Sequence, residues 1–216
     1  MVSFRQAATG TKTALDGQNL VIPVPAGVVD GDALVFFAFG VGAANTPGLP
    51  AGLTNLDTEA TGPSVRSCYR VASSEPASYT FTVIDANGAC GACAAYRGAS
   101  GTPVNQHSAW HRAVGSTTIT ADSVTTDADG CLLVWLGGYL AANTLTVPTG
   151  YVERAAAVGG TGHVKIADAT QLARGATGAV TGTLDVGVNN QGSLIAITPT
   201  LFQSPTRIAV AGGGVL

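Results

Sequence analysis

Tyr79-Thr80-Phe81-Thr82-Val83 and Ala33-Leu34-Val35-Phe36-Phe37 decide how this chain folds. In the first run Tyr79, Phe81 and Val83 alternate with threonine, the period-2 pattern that puts one face of a strand in a core and the other in water. The second run is apolar at every position, as in a strand covered on both faces. Around them Thr, Val and aromatic residues gather in short runs separated by Gly, Pro, Asn and Asp, and no stretch sustains a 3.6-residue apolar period. The pattern predicts an all-β fold with strands at Asn19–Pro23, Ala33–Phe39, Val65–Ala72, Ser78–Ile84 and Cys90–Tyr96, then Ser116–Ala121, Cys131–Gly137, His163–Thr170, Ala179–Val186 and Ser193–Thr198.

These two sets repeat one another. Residue 33 answers to 131, an offset of 98 that continues through Ala43-Ala44-Asn45-Thr46 against Ala141-Ala142-Asn143-Thr144 and Pro50-x-Gly52 against Pro148-x-Gly150. Further on, Cys90–Tyr96 matches Gln191–Ile197 in pattern. A period near 100 residues is too long for a solenoid unit. It suits two pseudo-symmetric Greek-key halves, about 20–98 and 118–199, joined in one jelly-roll-like β-sandwich over residues 1–199, with 200–216 as an extended C-terminal arm. Two separate small sandwiches are the alternative. The connection Gly98–Gly115 holds Trp110, His107 and His111 and is expected to pack rather than to act as a flexible linker.

Of the 216 residues 46% are apolar and only 11% charged, against a usual charged share of about 25%. Ten Lys and Arg against thirteen Asp and Glu leave a net charge of −3 with no basic cluster, which argues against nucleic acid as a partner. No apolar run approaches the roughly 20 residues that span a bilayer, and Met1–Gly10 lacks the layout of a signal peptide; no membrane partner and no export are expected. So weakly charged a surface keeps a free monomer in solution poorly, so the chain reads as part of an assembly, with a homo-oligomer expected. A glycine-rich end such as Gly212-Gly213-Gly214 is costly to order, and neighbouring subunits are expected to hold the termini.

The chemical inventory is thin. Asp30-Gly31-Asp32 and Asp127-Ala128-Asp129-Gly130 read as turns before equivalent strands rather than calcium loops, because the full EF-hand ligand pattern is missing. His107 and His111 read as solvated loop residues. Gly159-Gly160-Thr161-Gly162 before His163 reads as a hairpin rather than a phosphate-cradling loop, since no helix follows. Cys90-Gly91-Ala92-Cys93 has a zinc-knuckle spacing, but in a strand residues three apart point to opposite faces. Cys68, Cys90, Cys93 and Cys131 read as buried thiols, Cys131 in the repeat position of Ala33 and Cys93 in that of Leu194; a disulfide stays open. Trp135 reads as core, and Trp110 as packing over the sandwich end or as a partner anchor. No Gly-x-Ser-x-Gly elbow or His-Glu-x-x-His occurs, so neither enzyme activity nor a cofactor or metal site is expected.

Val24-Pro25-Ala26-Gly27-Val28-Val29-Asp30-Gly31-Asp32, Pro50-Ala51-Gly52-Leu53, the run from Tyr69 to Phe81 and Ala95-Tyr96-Arg97-Gly98 resemble a family of tailed-bacteriophage and bacterial surface-type β-sandwich proteins. In the second half Val124-Thr125-Thr126, Pro148-x-Gly150-Tyr151-Val152-Glu153-Arg154 and Ile195-Ala196-Ile197 extend the resemblance, which spans roughly Phe4 to Pro199. The family's usual Pro-Ala-Gly-Trp is Pro50-Ala51-Gly52-Leu53 here, so a ligand site resting on that Trp would be missing. The resemblance implies a non-enzymatic virion structural protein, a capsid decoration or minor head protein assembled in the host cytoplasm. Its partners would be the major capsid protein or other virion proteins, with a tail-fibre or head-fibre module binding host surface glycan as the alternative. Contacts would run through the ends, Met1–Gly10 and Thr200–Leu216 adding strands or extended arms to neighbours, with Phe4, Trp110, Phe202, Arg207, Ile208, Val210 and Leu216 as candidate partner-binding residues.

Overall fold

A computed structural model of the chain describes residues 1–13, 19–42, 46–84, 88–141 and 143–200. They form strands with no helix: β1 (Ser3–Lys12), β2 (Asn19–Pro23), β3 (Ala33–Gly40), β4 (Thr54–Glu59), β5 (Ser64–Val71), β6 (Ser78–Thr82), β7 (Ala89–Arg97) and β8 (Ala99–His107) come first. β9 (His111–Ala121), β10 (Thr125–Thr126), β11 (Cys131–Leu140), β12 (Leu145–Thr146), β13 (Val152–Gly159), β14 (Gly162–Gln171), β15 (Gly175–Ala176) and β16 (Val180–Pro199) follow. Every strand expected from the sequence is present. The runs Ala179–Val186 and Ser193–Thr198 are two ends of one long strand, β16, that passes from one layer to the next.

Pairing is antiparallel throughout. The first half builds a sheet of order β1-β7-β3-β5-β4 and, apart from it, a β2-β6 ribbon. The second half builds β12-β16-β11-β14-β13, with β8 and β9 also on β16. Alternation then sorts the apolar side chains into three cores. Leu34 and Phe36 of β3 meet Leu20, Ile22 and Phe81 of the ribbon, closing a small sandwich in the first half. Leu133 and Trp135 of β11 meet Ile119 of β9 and Leu184 of β16 and close another in the second. The opposite faces of the same central strands, Val35, Phe37 and Phe39 against Leu132, Val134 and Leu136, share a third core that joins the halves. That is why β3 and β11 are apolar on both faces: each lies between two cores.

The repeat is present, but in a register one residue away from the one the sequence suggests. Ala33 faces Val71 and Leu132 faces Thr170, so 33 answers to 132 and 71 to 170, an offset of 99. Ala33 and Leu132 both belong to the shared core, whereas an offset of 98 would match Leu34 of an outer core with Leu132 of the shared one. In a strand a one-residue slip sends every side chain to the wrong face, so burial decides. Cys131 therefore does not occupy the place of Ala33. Turns set this register: Gly31, at φ 92°, donates to the Ala72 carbonyl, as Gly130, at φ 71°, does to that of Leu172. Asp30 Oδ1 accepts from the Ser74 amide and Asp129 Oδ1 from that of Arg174, each at 2.8 Å, tying both turns down alike. The match of Cys90–Tyr96 with Gln191–Ile197 holds, since Ala33 faces Tyr96 and Leu132 faces Ile197.

The repeat also begins earlier than 20 and 118. Met1–Gly10 reads as an arm in the sequence, but Ser3–Lys12 is β1, paired with β7 of its own sheet. Gly98–Gly115 packs as expected, with Trp110 in the shared core, but as strands: it holds β8 and the start of β9. Both first strands carry a bulge at the same place, between Phe4 and Gln6 in β1 and opposite Ala196 and Ile197 in β8. The residue between them is Arg5 in one half, which pairs with the buried Asp32 at 2.6 Å, and Asn105 in the other, which bonds Asp127.

Exchange of large and small residues fits the halves together. Phe36 and Ala38 correspond to Trp135 and Gly137, and a side chain on Gly137 would enter the Trp135 ring. Gly182 of β16 also borders that ring, where a Cβ would stand 3.0 Å from Cη2. Across the shared core Phe39 lies over Gly138 and Gly162, where added Cβ atoms would come to 2.7 and 2.9 Å of its ring.

Candidate functional site

Of the candidate partner residues, Phe202, Arg207, Ile208, Val210 and Leu216 lie outside the described residues, as does the rest of 201–216. The other two are engaged within the chain. Phe4 packs edge-on against Tyr96, 6.0 Å between ring centroids, beneath the Arg154 guanidinium. Arg154 makes a two-pronged pair with the buried Asp168 at 2.8 and 2.9 Å, which raises the Arg154 pKa through that hydrogen bond. Trp110 packs within the chain: it stacks on Phe37 at 5.1 Å in the shared core, and its backbone amide donates to Asp57 of the first half.

His107 and His111 close β8 and open β9, so they sit at strand ends rather than in a loop; His111 bonds Asp122 at 3.0 Å. His163 is the second residue of β14, after a two-residue hairpin, and stacks on Tyr139 at 4.8 Å; burial lowers its pKa. Cys90 lies in the shared core and Cys93 in the first half's own core, on opposite faces of β7 as the spacing requires. All four cysteines are buried and free, and burial pushes the Cys68 and Cys90 thiols up to about 12. No group of three or more His, Cys, Asp or Glu among the described residues could hold a metal ion.

One surface stands out by its chemistry, on the outer layer of the second half. In Thr118-Ile119-Thr120, Leu145-Thr146 and Thr181-Gly182-Thr183 alternation sends Ile119, Leu145 and Gly182 inward and threonine outward. Threonine suits these strands because its branched Cβ fits a pleated, half-buried surface. The registers then line the hydroxyls up. Thr183 faces both Thr146 and Thr118, and Thr181 faces Thr120, with 3.5 Å between the last two hydroxyl oxygens. Rows are about 4.8 Å apart across strands and about 6.8 Å along them.

This face runs into an open groove of about 440 Å³ between the start of β16, the end of β14 and the loop before β13. Leu133, Pro148, Tyr151 and Val180 supply apolar surface, and Thr149, Thr170, Gln171, Thr177 and Thr181 supply hydroxyl and amide groups; no lining residue is charged. The Tyr151 hydroxyl is buried without a hydrogen-bond partner, and burial holds its pKa up at about 12. The hollow of about 250 Å³ beside Val28 and Glu75 and that of about 300 Å³ beside Phe4 and Arg154 each include charged side chains. Glu75 is already committed to Arg70 and Tyr79, and Asp168 to Arg154. The groove thus offers neutral donors and acceptors beside an apolar floor, an arrangement fit for binding rather than proton transfer.

Pro148 and Tyr151 lie in a motif the sequence shows, but none of the groove residues is singled out there as a binding residue. The available signal is the recurrence of Thr-x-Thr at 118, 144 and 181, but only the strand order places two of these motifs side by side and the third next to them. Comparison with known proteins supplies no relative: no protein-family model, curated protein or solved structure matches the chain.

Proposed function

We propose that this chain is a non-enzymatic structural component of a tailed-bacteriophage particle, a decoration or minor head protein that sits on the shell as a rigid block and is fastened by its C-terminal segment. The observation that carries this reading is how Thr200, the last described residue, is held beside Met1. Gly98 approaches the Met1 carbonyl so closely that a Cβ on it would stand 2.6 Å from that oxygen, and the Gly98 carbonyl accepts from the Thr200 amide at 2.9 Å. The Thr200 hydroxyl donates to Ala99 at 2.8 Å. Thr200, the last described residue, is therefore anchored to Gly98 and Ala99 beside Met1, a position suited to fastening a tether. The low charge and the core shared by the halves support the same reading, because a rigid, nearly neutral body covers a lattice site without electrostatic conflict. Partners would be the major capsid protein or further copies of the chain.

The test is deletion of Thr206–Leu216. Expected is a fragment with an unchanged melting temperature whose copy number on assembled particles falls several-fold. Undiminished incorporation overturns the proposal.

A further inference from the structure

We infer that the threonine-lined groove of the second half binds a neutral, polyhydroxylated ligand, an uncharged oligosaccharide. This stands independently of the particle role, since it rests on the groove alone. Its volume of about 440 Å³ falls in the range of about 300–1,000 Å³ typical of small-molecule sites. A sugar offers hydroxyls that both donate and accept, and threonine answers with a group that does the same. Thr149 and Thr170 have exposed side chains at the rim, Thr181 continues the ladder outward, and the buried Tyr151 hydroxyl lacks the partner that a polar group out of water ordinarily has. The exposed Ala179 and half-buried Val180 provide apolar surface for the C–H face of a sugar ring.

Charge decides the class within saccharides. No carboxylate or cation lines the groove, so sialic or uronic acids would lose their hydration without a counter-charge. A protein partner is less well matched, because interface centres are apolar and aromatic, whereas this face presents hydroxyls. The first half differs at the corresponding place: Tyr79 faces Ile22 as Val180 faces Ala121, and the Tyr79 hydroxyl is already bonded to Glu75 at 2.6 Å. Binding is therefore assigned to the second half only.

The experiment applies the intact protein to an array of neutral hexose and N-acetylhexosamine oligosaccharides beside sialylated and uronic-acid ones, then titrates the best neutral binder calorimetrically. Thr170→Val and Thr181→Val remove hydroxyls but keep shape and strand preference, and Thr80→Val on the first half's ribbon is the control. Expected is neutral-glycan binding that the paired groove substitutions weaken by about tenfold and Thr80→Val leaves unchanged. If the pair does not fold, Thr181→Val alone, at an exposed position, is expected to weaken binding measurably. Three results overturn the inference: no neutral glycan bound at about 1 mM, preference for the acidic glycans, or equal loss in the control. None of these bears on incorporation into particles, so the two proposals fail separately.

Discussion

Substituting Gly137 by alanine tests the packing logic of the repeat most directly. In the first half the equivalent pair is Phe36 with Ala38; in the second it is Trp135 with Gly137. A Cβ on Gly137 would stand 2.6 Å from Cζ3 and 2.9 Å from Cζ2 of Trp135, and nearer still to Cη2. Comfortable carbon contacts lie at about 3.5–4.0 Å. The ring would have to retreat by about an ångström, yet Gly182 also stands against it, with only 3.0 Å between Cη2 and a Cβ built there. Overpacking of this kind costs about 1–3 kcal/mol, offset by about 0.5–1 kcal/mol for removing a strand glycine. The net expectation for Gly137→Ala is a loss of about 1–2 kcal/mol. Trp135→Phe alone leaves space beside Gly182 and also destabilises. The double substitution restores the first half's pair, so its cost should fall below the sum of the single costs by at least about 1 kcal/mol. Guanidinium unfolding followed by far-UV circular dichroism reads all four proteins without relying on the tryptophan being changed. A neutral Gly137→Ala, or additivity within about 0.5 kcal/mol, would refute the reasoning.

Three further outcomes follow from buried groups. Cys68 and Cys90 are raised from 9.0, and Tyr139 and Tyr151 from 10.0, each to about 12 by burial. Since the folded state holds these protons more tightly, their contribution is complete below pH 9 and is lost as pH rises from 9 towards 12; the urea midpoint should decline over that window, and a flat profile would contradict it. Native thiols should resist a disulfide reagent, with all four reacting once the chain is unfolded. Replacing Arg154 by alanine leaves the carboxylate of Asp168 buried without its guanidinium and should cost about 3–5 kcal/mol, while Arg154→Met with Asp168→Leu should recover much of that loss, as read from the unfolding midpoint.

What the sequence made legible was the interior. Strands such as β3, β6 and β11 carry their alternation or their double-sided apolarity openly, and all appear where expected. The strands it did not reveal are those with little need of apolar side chains. β1 (SFRQAATGTK) and β4 (TNLDTE) bury little of their length, β8 carries a proline and a glycine, and the Ala-rich β13 shows only small side chains to the shared core. Missing β1 and β8 also hid the true start of the repeat. The one-residue slip had another cause: Ala43–Thr46 and Ala141–Thr144 do match at 98, but that identity says nothing of which face each strand side chain takes. The threonine face beside the groove was illegible for a topological reason, because Thr118, Thr120, Thr146, Thr181 and Thr183 come from strands that become neighbours only through β16.

Phe39 over Gly138 has one more consequence. Under the register of the repeat these two are the same position, a knob in one half and a hole in the other. Two copies of the first half facing one another would bring two rings into the room of one, and two copies of the second would leave a void. Each half can thus be satisfied only by its unlike twin, so the duplication is no longer interchangeable: it has become a lock and its key on a single polypeptide.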